Sequence, residues 1–194
     1  MNLTKLRKDI AQRVTAPMIN LLARTPLSPS AGTIMGFLIT VVAAVLVAGG
    51  SLVAAGVLVL VAGLFDMLDG ALARRTGRVT PFGAVLDSTL DRLSEAALLI
   101  GVLVYFAGEE GAAALALVGA TLAFSLVVSY LRAKTEAMGL EGRAGLFTRP
   151  ERVIVLTLGL FLNQLVIALA IIAFFSFITI IQRLANISRQ LKGK

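Results

Sequence analysis

What most limits the fold of this chain is the recurrence of long apolar runs. Residues 31–49 and 52–73 follow one another with only the turn Gly49-Gly50-Ser51 between them, and further runs occupy residues 82–106, 112–130, 152–162 and 166–181. About twenty apolar residues are what a helix needs to cross ~30 Å of hydrocarbon. In lipid every backbone N–H and C=O must be paired within its own segment, so such runs become helices. Of the 194 residues, 58% are hydrophobic, above the half that soluble domains rarely exceed. The expectation is an all-α integral membrane protein with six transmembrane helices, residues 31–190 forming one bundle. The fifth run is short for a full crossing, so Asn163-Gln164 is expected to lie inside the far interface. Ahead of the bundle, Leu3, Leu6, Ile10, Val14, Met18 and Leu21 recur at helical spacing among charged residues. Residues 2–22 therefore read as an N-terminal amphipathic interfacial helix. Residues 1–194 form a single membrane domain on this reading.

Charge orients the bundle. The 18 Lys and Arg fall in residues 1–30, 74–92, 132–152 and 183–194, while the turns at Gly49-Gly50-Ser51, Glu109-Glu110-Gly111 and Asn163-Gln164 carry none. The positive-inside rule puts the basic side, with both termini, in the cytoplasm of a cell membrane. The basic residues are interrupted by spans and have few aromatics among them, which disfavours nucleic acid as a partner. Anionic headgroups or phosphorylated substrates suit them better. Cysteine and histidine are both absent, so any proton transfer must use a carboxylate, lysine, tyrosine or water.

Against this apolar background four carboxylates stand out. Asp66 and Asp69 are three apart at the end of the second run, and Asp87 and Asp91 are four apart at the start of the third. Each pair falls on one helix face, and the basic turn between residues 74 and 81 brings the two faces together. Such a cluster repels itself at low dielectric and calls for cations; oxygen donors select Mg²⁺, Mn²⁺ or Ca²⁺. Three readings are open at this point: an ion-pair network with Arg74, Arg75, Arg78 and Arg92, an ion pathway, or a metal centre for phosphoryl chemistry. The acids gather at one membrane face, whereas transporter sites lie near the midplane. Small residues beside them, Gly70, Ala73, Gly83 and Ala84, let a ligand or another helix approach closely and favour the third reading.

The pattern D-x2-D-G-x2-A-R-x8-G-x3-D-x3-D, formed by Asp66, Asp69, Gly70, Ala73, Arg74, Gly83, Asp87 and Asp91, resembles the signature of the CDP-alcohol phosphotransferases at every position. The resemblance implies transfer of a substituted phosphate from a CDP-linked donor to an alcohol, with release of CMP. It also implies a divalent-metal site made by Asp66, Asp69, Asp87 and Asp91, with Asp91 as the base. Gly70, Ala73, Arg74, Thr80 and Gly83 would lie along the donor. The turn Ser30-Ala31-Gly32-Thr33 resembles a family segment that contacts the nucleotide through Ser30 and Thr33, although Ser30 replaces the usual acid or amide and serves equally as a helix cap.

Further segments, Ser129–Ala137, Thr148–Arg152 and Gln182–Leu184, resemble the phosphatidylinositol-phosphate synthases of actinobacteria. That likeness implies CDP-diacylglycerol as donor, 1D-myo-inositol 3-phosphate as acceptor, Mg²⁺ or Mn²⁺ as cofactor, and a homodimer in the lipid bilayer. Arg132, Arg152 and Arg183 would receive the acceptor phosphate, with Lys134 and Arg149 beside them. Rival expectations are a glycerophosphate acceptor, as in phosphatidylglycerophosphate synthases, an archaeal-type relative joining two soluble inositol compounds, and a divalent-cation transporter.

Overall fold

The computed structural model of the chain describes residues 29–77, 80–108, 111–142 and 144–192, with residues 29, 70 and 72–76 described by their backbone alone. The amphipathic helix expected at residues 2–22 lies outside the described residues. Those residues fold into six helices: α1 Pro29–Ala48, α2 Leu52–Thr76, α3 Pro81–Ala107, α4 Ala112–Ala137, α5 Arg149–Phe161 and α6 Leu165–Lys192. No strand occurs among them.

Four helices, α1, α2, α4 and α6, are long and apolar enough to cross a membrane. The expectation of six spans is met to that extent. The reason for the difference is local. α3 has 27 residues, but the part up to its middle carries Asp87, Asp91, Arg92 and Glu95. α5 has only 13 residues and reaches about 20 Å. Large apolar side chains such as Val45, Leu60, Phe82, Ile154 and Phe174 are more than half exposed, a surface that lipid matches and water does not.

Punctuation residues set the helix ends. Pro29 opens α1; a proline at the first helical position has no N–H to leave unpaired and its φ is already helical. Ser30-Ala31-Gly32-Thr33 is therefore the first turn of α1, and neither a free turn nor a site for Ser30 to cap. α1 ends where Gly50 takes φ +78°, letting Ser51 N–H reach Leu46 C=O at 2.8 Å and Gly50 N–H reach Val47 C=O at 2.9 Å. Thr80 caps α3 by accepting Gly83 N–H at 3.0 Å, with Pro81 next. At α5, Thr148 donates its N–H (2.8 Å) and hydroxyl (2.5 Å) to Glu151, as the Thr-Arg-Pro-Glu order predicts. Burial works to raise the Glu151 carboxyl, but the bonds from Thr148 outweigh it and hold it below the ordinary carboxylate range. Asn163, at φ 53°, reverses the chain from α5 into α6.

α1 packs against α2 and α3, α2 against α5, α3 against α4, and α6 against α4 and α5. Val47, Val59, Leu99, Val102, Val118, Leu160, Leu169 and Ile172 form the shared core. Where α3 crosses α1, Gly101 lies directly against the Ala44 carbonyl, with no room for a side chain. This packing brings the acid-bearing ends of α2 and α3 to the start of α5.

Candidate active site

The seam between α1 and α2 is cut to fit the first two aspartates. Gly32 and Gly36 stand one turn apart on α1. A Cβ at Gly32 would come within 2.7 Å of Asp69 Cβ, and one at Gly36 within 3.0 Å of Asp66 Oδ1. Hydrogen at both positions lets α1 lie against the acids. Thr33, on the same turn, donates its hydroxyl to Asp69 Oδ2 at 2.7 Å, and both residues are buried. That bond fixes one Asp69 oxygen.

Three helices meet at a single guanidinium. Arg149 of α5 donates Nη1 and Nη2 to Asp66 Oδ2 of α2, each at 3.2 Å, and its Nη1 lies 2.7 Å from Asp91 Oδ1 of α3. Asp66 and Asp91 are therefore no farther apart than those two contacts laid end to end. Arg149 Nε is buried without a partner. Asp87 lies one turn before Asp91 on the same face of α3, more exposed. Among the described residues no three acids converge tightly enough to hold a metal as they stand, because Arg149 fills the place between two of them. The donor set still suits a hard divalent cation: every candidate ligand is a carboxylate oxygen, and Arg149 marks where positive charge is required.

Two cavities adjoin this point. One, of about 490 Å³, is polar and is lined by Asp87, Asp91, Arg132, Arg149, Arg152 and Arg183 among others. The second, of about 480 Å³, is mainly apolar and reaches Asp66 from between Leu60, Leu64, Leu98 and Leu156. Arg149, Pro150 and Arg152 belong to both. Each volume is in the range of a small-molecule site.

The arginines differ in how they are held. Arg152 is 2% exposed and grips Glu95 of α3 with Nε at 2.5 Å and Nη2 at 2.7 Å. Its Nη1 is buried with no partner, which costs about 1–3 kcal/mol unless something accepts from it. Arg183, also buried, donates Nε to Ala144 C=O at 2.9 Å and Nη1 to Val128 C=O at 2.5 Å, so it ties the loop before α5 to α4 and α6. Gly145, at φ +120°, lets that loop pass over Thr179 and Arg183. Arg132 is exposed and pairs with Glu136 one turn on, at 2.9 Å. Lys134 is exposed on α4 and does not line the polar cavity. Ser30 is half-buried in the first turn of α1, Thr80 is spent on the α3 cap, and Gly83 is its partner. Gly70, Ala73 and Arg74 continue α2 past Asp69, and their side chains lie outside the described residues.

The sequence reading passed over Glu95 and the Gly32/Gly36 pair. Asp87, Asp91 and Glu95 recur every fourth residue, which was the available signal for an acid stripe extending into the apolar part of α3.

Residues 27–185 match the family model for CDP-alcohol phosphatidyltransferases. The chain belongs to the CDP-alcohol phosphatidyltransferase family. Among curated members, the phosphatidylinositol phosphate synthase of Mycobacteroides abscessus is 38% identical over 92% of this chain and 86% of its own. The archaetidylinositol phosphate synthase of Pyrococcus horikoshii is 36% identical over 98% of both. Solved structures of the phosphatidylinositol phosphate synthase of Mycobacterium tuberculosis superpose closely. The form with CDP-DAG bound gives a TM-score of 0.82 at 36% identity, over 90% of this chain and 94% of that one. The form in complex with manganese and citrate gives 0.83 at 37%, over 89% and 88%. Within the matched residues, Asp66 of α2 and Asp91 of α3 face each other across Arg149.

Proposed function

We propose that the chain is a phosphatidylinositol-phosphate synthase, transferring the phosphatidyl group from CDP-diacylglycerol to 1D-myo-inositol 3-phosphate and releasing CMP. One observation carries the reading: a single cavity lined both by Asp87 and Asp91 and by Arg132, Arg152 and Arg183. The acids suit a cation and a pyrophosphate; the guanidiniums suit a phosphate dianion. The apolar cavity that reaches Asp66 suits the tails of the donor, entering from the lipid.

The chemistry then assigns roles to the chain's own residues. Asp66, Asp69, Asp87 and Asp91 would hold a divalent cation, Mg²⁺ or Mn²⁺, with Asp66 and Asp91 released from Arg149. When bound, that cation would neutralise the pyrophosphate and the CMP leaving group. Thr33 orients Asp69 through its hydroxyl. Ser30, Gly70, Ala73, Arg74, Thr80 and Gly83 border the donor. The acceptor hydroxyl attacks the lipid-bearing phosphorus, its proton passes to Asp91, and the bond from that phosphorus to the CMP oxygen breaks. Arg132, Arg152 and Arg183 bind the acceptor phosphate, with Arg149 lining the same cavity and Lys134 outside it.

In the bilayer, the six helices cross as one domain, and the basic side with the site faces the cytoplasm of a cell membrane. The active form is a homodimer. The likeness to the Pyrococcus horikoshii protein supports a second version in which the donor carries an archaetidyl group and the acceptor is unchanged.

The test supplies purified protein with CDP-diacylglycerol, Mg²⁺ and equal concentrations of inositol 3-phosphate, glycerol 3-phosphate and free inositol. Release of CMP with phosphatidylinositol phosphate as the main lipid product is expected, and exhaustive chelation should abolish it. A glycerol 3-phosphate preference would reassign the acceptor. Metal flux in liposomes without CMP release would make the chain a transporter.

A further inference from the structure

Glu95 has no part in the chemistry above, yet it is a nearly buried carboxylate in the apolar stretch of α3. Buried acids are costly and persist where they are paired to some use. Glu95 follows Asp91 by one turn on α3, and Arg152 follows Arg149 by one turn on α5. The two helices are thus joined by successive rungs, Asp91–Arg149 and Glu95–Arg152.

The second rung is the better formed. Both Glu95 oxygens are engaged, by Nε and Nη2 of Arg152, in a two-point fork that fixes the guanidinium plane. The third nitrogen, Nη1, is buried and unpartnered. Arg152 borders both cavities: Glu95 holds it from the apolar one, and in the polar one it stands with Arg132 and Arg183. Neither neighbour is prepared in the same way. Arg183 has its Nε and Nη1 on backbone carbonyls, and Arg132 is exposed beside Glu136. Arg152 alone of the three is clamped by a carboxylate and left with one buried donor still to be satisfied.

We propose that Glu95 is a positioning residue that holds the Arg152 guanidinium with Nη1 ready for the phosphate of the acceptor alcohol. The proposal rests on the phosphate-bearing acceptor proposed above. A purely architectural ion pair would tie α3 to α5 without regard to which substrate is bound. A positioning pair acts on one substrate only.

The experiment uses the purified full chain, Glu95→Gln and Glu95→Asp, with two readouts. Calorimetric titration with inorganic phosphate measures the arginine site without turnover. Steady-state kinetics give KM for inositol 3-phosphate and for CDP-diacylglycerol separately. Glu95→Gln should weaken phosphate binding about tenfold or more and raise the acceptor KM by a like factor, since one charge-assisted contact loses its geometry. KM for CDP-diacylglycerol should stay within about twofold, as its phosphates are assigned above to the aspartates and not to Arg152. Glu95→Asp, which keeps the charge, should recover part of the loss; it also serves as the readout if Glu95→Gln does not fold. Phosphate binding equal to wild type in the variants, or parallel rises in both KM values with a lowered Tm, would overturn the proposal. A wild-type protein that binds phosphate and loses it in Glu95→Gln, but makes no inositol lipid, would keep the positioning role and remove the assigned acceptor.

Discussion

Arg149 is the cation that Asp66 and Asp91 now share, and its removal makes a prediction opposite to that for an ordinary ligand-binding arginine. Its side chain is about a third exposed, and those of Asp66 and Asp91 about a quarter. Solvent screens such pairs in part, so the three contacts together are worth about 1.5–3 kcal/mol, the scale of one hydrogen bond to a charged group. A divalent cation binding to Asp66 and Asp91 must first part them from Arg149. Arg149→Gln removes that competitor and leaves the two acids facing each other unneutralised. Mn²⁺ affinity should therefore rise, by roughly tenfold to a hundredfold. The metal-free variant should melt below the metal-free wild type, and added Mn²⁺ should raise its Tm by more. Free Mn²⁺ read by electron paramagnetic resonance, with Tm in detergent, decides the matter without turnover. Unchanged or weaker Mn²⁺ binding in Arg149→Gln would refute the reasoning and make Arg149 part of the cation site's support.

Other perturbations follow from the same geometry. Gly36→Leu drives a side chain into Asp66 and the α1–α2 seam; overpacking of about 1–3 kcal/mol is expected, with loss of Mn²⁺ binding ahead of loss of the fold, by calorimetry against circular dichroism. Asp91→Asn should abolish CMP release while CDP-diacylglycerol still binds, because an amide can ligate poorly but cannot accept the proton; near-normal turnover would assign the base elsewhere. Arg183→Ala should raise the acceptor KM and also loosen the loop before α5, seen as faster amide exchange at residues 144–148, since Ala144 and Val128 lose their donor.

Much of this architecture was legible before any coordinates. The helix start at Thr148-Arg149-Pro150-Glu151 follows from local rules, because a capping box acts within one turn; Pro81, placed in the turn by the sequence, instead opens α3 behind the Thr80 cap. The four aspartates were legible for a different reason: in an apolar chain their cost singles them out. What escaped is long-range. Gly32 and Gly36 read as ordinary small residues of a span until α2 is laid against them. Ser30 read as a nucleotide contact or a cap, whereas α1 begins one residue before it, at Pro29. Arg149 read as an acceptor contact, and only the packing of α5 on α2 and α3 brings it between Asp66 and Asp91. Glu95 was hidden by its neighbours: in a stretch already holding Asp87, Asp91 and Arg92, a further charge carries little signal until Arg152 is seen to meet it.

The start of α5 is where these threads join. Pro150 and the capping bonds of Thr148 and Glu151 fix the first turn of that helix, so Arg149 and Arg152 are carried on a rigid element. The N-terminus of α5 sits beside Asp66 of α2 and Asp91 of α3, and its Arg149, Pro150 and Arg152, which line both cavities, stand between the apolar one and the polar one. A transfer between a lipid and a water-soluble alcohol needs that division, since each substrate must reach the same phosphorus from a different solvent. The two arginines on the divide make opposite commitments. Arg149 is held by acids that a metal would claim, and so is free to leave; Arg152 is held by Glu95, which no metal reaches, and so stays. The two rungs should therefore answer differently: Glu95→Gln should weaken binding of the acceptor phosphate, whereas Asp91→Asn should stop turnover with CDP-diacylglycerol still bound.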